Sequence, residues 1–380
     1  MTWPTNPGSR AKLTTGQRKL GEVAEIYQGG KSGLTKKDYV KSGFLAFSAT
    51  GQDGFTKKAF DSGFAVILSS IGARCGKCFY AEGKWTALAN TQVIKLDDPM
   101  AAKFLYYYLN DENKWPRYGS AQPFIAPSTV KRLKVPFPSL PIQKKIVERL
   151  DAIKKTQELN DKQLVLVEEL FQSLLHRELD PKGKNWEVKR LGELSLVITK
   201  GTTPTTYGYR FTDAGIPFLR VEDVNNDLVN PKKTEYHISK ETHEFMKRSK
   251  TEPRDILVTI AGTIGRVAHV PENAPEMNMN QAVAIVRLKP LVNHLYVFYL
   301  LRTKELQRAM KFAEVTGTIT NISLTTLKNL KIPLPPIETQ RKIVEKLSAV
   351  QEYKKKLLEQ KQKLQELFES VLNKSFKGGI

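Results

Sequence analysis

The residues able to do chemistry are few, and each group falls short of a catalytic set. Gly29-Gly30-Lys31-Ser32 has the tail of a P-loop, in which backbone N–H groups cradle phosphates and the lysine reaches them. That loop needs a glycine five positions before Gly30, where Glu25 stands. Cys75 and Cys78 make one C-x-x-C, and a thiolate metal site would need a second pair. Aligned on Gly76 and Gly265, these cysteines meet Ile264 and Val267 in a second copy of the turn, so small buried apolar roles are expected. His176, His237, His243, His269 and His294 show no ligand spacing. There is no G-x-S-x-G, no glycine-rich dinucleotide turn after a strand and no Asn-Pro-Pro-aromatic signature. The chain reads as non-catalytic, with no cofactor and no metal.

Recognition chemistry remains. One half of the chain offers Gln28, Lys31 and Ser32 after a first apolar run, Arg74 and Lys77 in the turn at 71–77, and Ser120 and Gln122 in a later polar loop. The other half offers Lys200, Thr202 and Thr203, then Tyr207, Arg210 and Arg220, then Thr263 and Arg266 at 261–266, then Thr318 and Asn321. Lysine and arginine contact phosphates and guanine, and asparagine and glutamine suit adenine. The net charge is +21. Residues 141–178 sum to zero and 338–374 to +3, so +18 lies outside those stretches. That predicts a polyanion partner, although basic charge alone also suits RNA or a membrane surface. No run of 18 apolar residues and no signal-peptide core occur, so the expected location is the cytoplasm.

These loops are positioned by a framework that occurs twice. Residues 133–150 (opening Leu-Lys-Val-Pro-Phe-Pro-Ser-Leu-Pro-Ile-Gln) and 330–347 (opening Leu-Lys-Ile-Pro-Leu-Pro-Pro-Ile-Glu-Thr-Gln) align at an offset of 197, and Phe171 and Leu175 fall on Phe368 and Leu372. Each copy predicts an extended lead-in and then a long helix. Ile343, Val350, Leu357, Leu364 and Val371 recur every seven residues, with Lys354 and Lys361 interrupting the second track. The other helix carries Ile146, Ile153, Val167 and Leu174, with Gln157 and Asn160 interrupting near its middle. Such heptads predict an antiparallel coiled coil, each rod about 57 Å for about 38 residues, rather than helices buried in one core. Glu338, Glu352 and Glu359 have lysines four residues on, a solvated face of small stabilising pairs.

Before each helix the pattern gives strands near Ala65 to Leu68, Thr91 to Leu96, Asp255 to Val258 and Ala282 to Leu288, then an aromatic helix. The fold class is α+β: two similar mixed α/β domains, separated and followed by long helices. The expected divisions are an arm at 1–17, a domain at 18–138, a helix at 139–180, a domain at 181–335, a helix at 336–376 and a tail at 377–380.

In this order the chain resembles the specificity subunits of type I restriction-modification systems, from Arg18 to Phe376. The residues that carry the likeness are Leu-Gly-Glu at 20–22 and 191–193, Gly-Thr-Thr-Pro at 201–204, Gly215-Ile216-Pro217-Phe218-Leu219-Arg220, Gly262-Thr263-Ile264-Gly265 and Ile332-Pro333-Leu334-Pro335-Pro336 with Gln340. The first domain lacks the Gly-Thr-Pro and Ile-Pro-aromatic segments. The resemblance implies two target recognition domains on double-stranded DNA, two modification subunits that methylate adenine, and restriction subunits. A coiled-coil bridging protein with two protein-binding domains is the alternative.

If the helices set the gap between two half-sites, lengthening one lengthens the gap. Four residues inserted at 151–160 add about 6 Å and about 40° of rotation, close to two base-pair steps. The expected outcome is unchanged half-sites with a spacer longer by one or two base pairs, read by mapping methylated sites. An active variant that keeps the old spacer would show that the helices measure nothing.

Overall fold

The computed structural model describes residues 16–119, 121–225, 229–312 and 321–376. The chain divides into two compact units, one formed by Met1–Lys162 with Glu359–Ile380 and the other by Gln163–Leu358. Both units are α+β, and each combines one domain with half of each long helix, Leu140–Leu179 and Ile337–Phe376.

In the first unit the core sheet runs in the order Glu25–Gln28, Thr91–Leu96, Phe64–Ser69, Cys78–Ala81, antiparallel throughout. Phe64–Ser69 is buried at nearly every position, because its β-branched and aliphatic side chains are covered on both faces. A second sheet, Gly51–Thr56, Phe44–Ser48, Lys84–Ala87, Asp61–Ser62, packs Phe47 edge-on against Trp85. The aromatic helix Pro99–Leu109 starts at Asp98, whose carboxylate accepts the Ala101 N–H, with Pro99 at the first helical position.

The second unit repeats the core sheet as Ser195–Lys200, Val283–Leu288, Ile256–Thr259, Val267–His269. Its aromatic helix is His294–Leu301, capped by Asn293. Its second sheet differs, having three short strands ordered His237–Ile238, Ile216–Leu219, Asn278–Met279. Buried Asp255 is held by Arg287 through two bonds of 2.8 Å. Burial raises its pKa, against the guanidinium's pull.

Each domain is closed by a ribbon that joins its first residues to the lead-in of its helix. Gln17–Lys19 pairs with Lys134–Pro136, and Glu187–Arg190 with Lys331–Leu334. The repeated Pro-to-Gln spacing then has a physical role. Gln143 and Gln340 are buried and donate to the carbonyls of Pro138 and Pro335 at 2.7 and 2.8 Å, fixing the angle at which each helix leaves.

The helices pair antiparallel within each unit. Lys346 meets Glu178 at 3.0 Å and Lys354 meets Glu168 at 2.6 Å in the second unit. Lys361 meets Asp161 at 2.8 Å, and Gln157 donates to Gln365, in the first. The lysines that interrupt the heptad track are therefore cross-helix ion-pair positions. On the outer face Glu352 pairs with Lys356, whereas Glu338 takes Arg341 three residues on rather than Lys342.

The far helix end completes each core. Phe368, Val371, Leu372 and Phe376 pack on the first domain. Phe171, Leu175 and Leu179 pack on the second, where the Phe171 ring lies edge-on to Tyr299 and under the Arg302 guanidinium. Phe171 is fully buried. Phe171→Ala is expected to destabilise the second unit by about 3–5 kcal/mol, seen as an earlier thermal transition. An unchanged transition would remove Phe171 from the core.

Candidate nucleic-acid interface

The predicted recognition residues collect at one edge of each core sheet, where two strands end and two begin. In the first unit Gln28 ends one strand, and Gly29 and Gly30 turn the chain by donating to Thr91 O and Ala87 O. Ser70 donates to Asn90 O, Ile125 to Ser70 O, and Gly72 to Pro123 O. These bonds bring together the loops bearing Gln28, Lys31, Ser32, Arg74, Lys77 and Gln122. In the second unit four of these bonds recur: Gly201 donates to Val283 O, Thr202 to Met279 O, Ile260 to Ala282 O and Ile322 to Ile260 O. They gather Lys200, Thr202, Thr203, Thr263, Arg266 and Asn321. Arg220 follows Leu219, whose carbonyl accepts the Asn280 N–H, and so joins the same edge.

Tyr207 and Arg210 belong instead to the segment after this edge, where the Tyr207 ring lies 5.3 Å from Phe245. Ser120 and Thr318 lie outside the described residues.

Within the first edge several side chains are already held. The Lys31 ammonium sits over the Tyr27 ring at 4.0 Å. Ser32 Oγ accepts from Leu34 N–H. Lys77 pairs with Glu112 at 3.4 Å. Arg74 donates to Thr50 O at 2.6 Å. The tip carrying Thr50 is tied by Asp53, which residue types in the sequence did not single out. Burial alone would raise the Asp53 pKa, but hydrogen bonds from Lys36, Thr50, Tyr39 and Ser48 hold it far below the usual carboxylate range. In the second edge Arg220 meets Glu222 at 3.2 Å and lies over Tyr236. The hydroxyl of Thr203 donates to Gln281 Oε1.

The residues missed by sequence reasoning cluster in the turn before the inner strand. Asn90, with a φ of 65°, makes that turn in the first unit, and Asn280 and Gln281 make it in the second. The signal was an amide residue just ahead of an apolar strand, a turn-forming position.

Cys75 and Cys78 are buried free thiols, and burial pushes both pKa values up. Cys78 opens the strand that Val267 opens in the other domain, as the sequence alignment expects. Among the described residues no group of three His, Cys, Asp or Glu could hold a metal ion, and no helix is long and apolar enough to cross a membrane.

Fold and site together define a duplicated α+β scaffold whose two loop edges are built by the same backbone bonds. The sequence model of the type I restriction modification DNA specificity domain matches residues 14–169 and 183–367, and the chain belongs to that family, the type I specificity subunits. The EcoBI specificity subunit of Escherichia coli is 32% identical over 176 residues, a match covering 44% of this chain and 36% of that one. Another Escherichia coli type I restriction enzyme specificity subunit is 24% identical over 347 residues, covering 86% of this chain and 84% of that one. The crystal structure of the type I restriction-modification S subunit from M. genitalium has the same fold, with a TM-score of 0.65, 17% identity and 97% of each chain covered.

The edge leaves no room for a methyl group at its first turn. A Cβ on Gly201 would collide with the carbonyls of Met279 and Asn280, and one on Gly29 with Thr91 Oγ1 and Leu88 O. Gly201→Ala is expected to push the two loops apart, at about 1–3 kcal/mol, with faster hydrogen exchange at Thr202. Unchanged exchange there would mean that the turn is not constrained by this contact.

Proposed function

We propose that this chain reads a bipartite duplex DNA sequence, one half-site per domain, and that two adenine-methylating modification subunits and the restriction subunits assemble on it. The observation that carries this reading is the doubled edge: matching backbone bonds present different outward side chains in the two domains, on a strongly basic chain. Matching scaffold with differing side chains suits two readers of two different half-sites.

Lysines and arginines, Lys200 and Arg266 among them, supply phosphate contacts, and loop side chains supply base choice. Methyl transfer is left to the partner, which has to take adenine out of the stack before its amino group is accessible. The chain itself performs no catalysis, and it works in the cytoplasm, where its DNA is. The proposed domain limits are 18–138 and 181–335, with 139–180 and 336–376 as the helical spacers.

Alanine at Lys200 or Arg266 is expected to weaken binding to all sequences and to reduce the salt slope by about one. The check is a duplex titration at several salt concentrations. A flat salt dependence in the parent chain would favour a protein-bridging role instead. With S-adenosylmethionine, methylated adenine is expected only when a modification subunit is present; methylation by the pure chain would overturn the division of labour.

A further inference from the structure

We propose that Asn280 reads a hydrogen-bond acceptor on a base edge, guanine first, in the half-site taken by the second domain; this rests on the DNA-reading role proposed above. Asn280 sits at the centre of the edge, between the 200–203 loop, Arg220 and the 260–266 turn. Its backbone N–H donates to Leu219 O at 3.0 Å, and its backbone carbonyl accepts from Val283. Its side-chain Oδ1 accepts the Ala282 N–H at 3.2 Å. A backbone N–H can only donate, so this bond fixes which side-chain atom is the oxygen. The Nδ2 group is therefore the half that remains, and among the described residues nothing accepts from it.

The neighbouring side chain has the same polarity. Gln281 is exposed, and its Oε1 is taken by the Thr203 hydroxyl, so it too presents an NH2 group. Lys200, exposed at the end of its strand, stands beside them for the phosphate contact proposed above. A surface of donors complements acceptors. In the major groove guanine offers two adjacent ones, N7 and O6, and thymine offers O4. The two-bond reading of adenine by asparagine requires a free Oδ1 as well as the NH2 group. Here the Ala282 N–H takes one of the two Oδ1 lone pairs, whereas both Nδ2 hydrogens remain to be offered, so donation to an acceptor is the mode Asn280 supplies most fully.

The first domain shows that the turn forms without an asparagine at this position, so the backbone bond to Ala282 does not by itself account for Asn280. Leu88 stands in Asn280's place, its N–H donating to Phe47 O as that of Asn280 does to Leu219 O, and Ala89 stands in place of Gln281. A phosphate contact needed by both readers would be present in both. The turn is shared, and the outward group differs.

The test is selection of bound duplexes from a randomised pool by the full-length chain, compared among the parent, Asn280→Ala and Asn280→Asp. Aspartate keeps an oxygen for the Ala282 N–H and replaces the NH2 group by a second acceptor. The parent is expected to enrich guanine in one column. Asn280→Ala should flatten that column by at least about fivefold and leave the others. Asn280→Asp should move it to cytosine or adenine, which carry amino donors in the groove. Identical enrichment in all three, or a uniform loss of affinity with the columns unchanged, overturns the assignment while leaving the DNA-reading role in place. A parent chain that enriches no sequence, with Lys200→Ala and Arg266→Ala equally without effect on DNA binding, overturns that role and this inference with it.

Discussion

Everything in this chain depends on one reciprocal constraint: neither domain owns all of its core. The sheet and aromatic helix of the first domain leave an apolar surface that is covered by Phe368, Val371, Leu372 and Phe376, from the opposite end of the sequence. Phe376 alone meets two rings, Phe104 at 5.1 Å and Tyr108 at 5.3 Å. In the second domain Phe171, Leu175 and Leu179 play the same part. Full burial, as of Phe171, Leu175 and Leu179, stabilises by roughly 1.5–3 kcal/mol per side chain relative to exposure, and the partly buried Phe368, Val371, Leu372 and Phe376 add less each, so the helices are structural members of both cores and not mere connectors.

Polar groups then decide how the helices meet. Ion pairs such as Lys354 with Glu168 and Lys361 with Asp161 are exposed enough to contribute little stability. Their value lies in register, because a slipped pairing would set a lysine against an apolar position. Tyr107 fastens the aromatic helix to Asp151 of the first long helix, and Tyr299 meets Ser348 of the second in the corresponding way. Apolar area holds the parts together, and a few hydrogen bonds select the arrangement.

Much of this architecture was legible in the sequence, for identifiable reasons. The helices declared themselves through heptads, and the duplication through the Pro-to-Gln segments, whose buried glutamines do the same work twice. The inner strands were readable because Val66, Ile67, Val283 and Ile285 are covered on both faces. The middles of the domains were not readable: the short strands His237–Ile238 and Asn278–Met279 owe their state to neighbours far away in sequence. The polar loops at the sheet edges could be placed from their residue types. Asp53 and Asn280 did not stand out, since part of what fixes them, Lys36 for the one and the Leu219 carbonyl for the other, comes from other segments of the chain. The lysines at 354 and 361 looked like flaws in a seam because the carboxylates opposite them lie almost two hundred residues earlier.

The reciprocal cores also impose an order in time. The second unit is one continuous stretch, Gln163–Leu358, whereas the first needs residues from both ends of the chain. On a ribosome the earlier-made domain must therefore wait, with its aromatic face uncovered, until residues 359–376 have followed the whole of the second unit. Domains usually mature in the order in which they are translated. Here the first to be started is completed by residues made after the second unit, and until then its aromatic rings lack part of their cover.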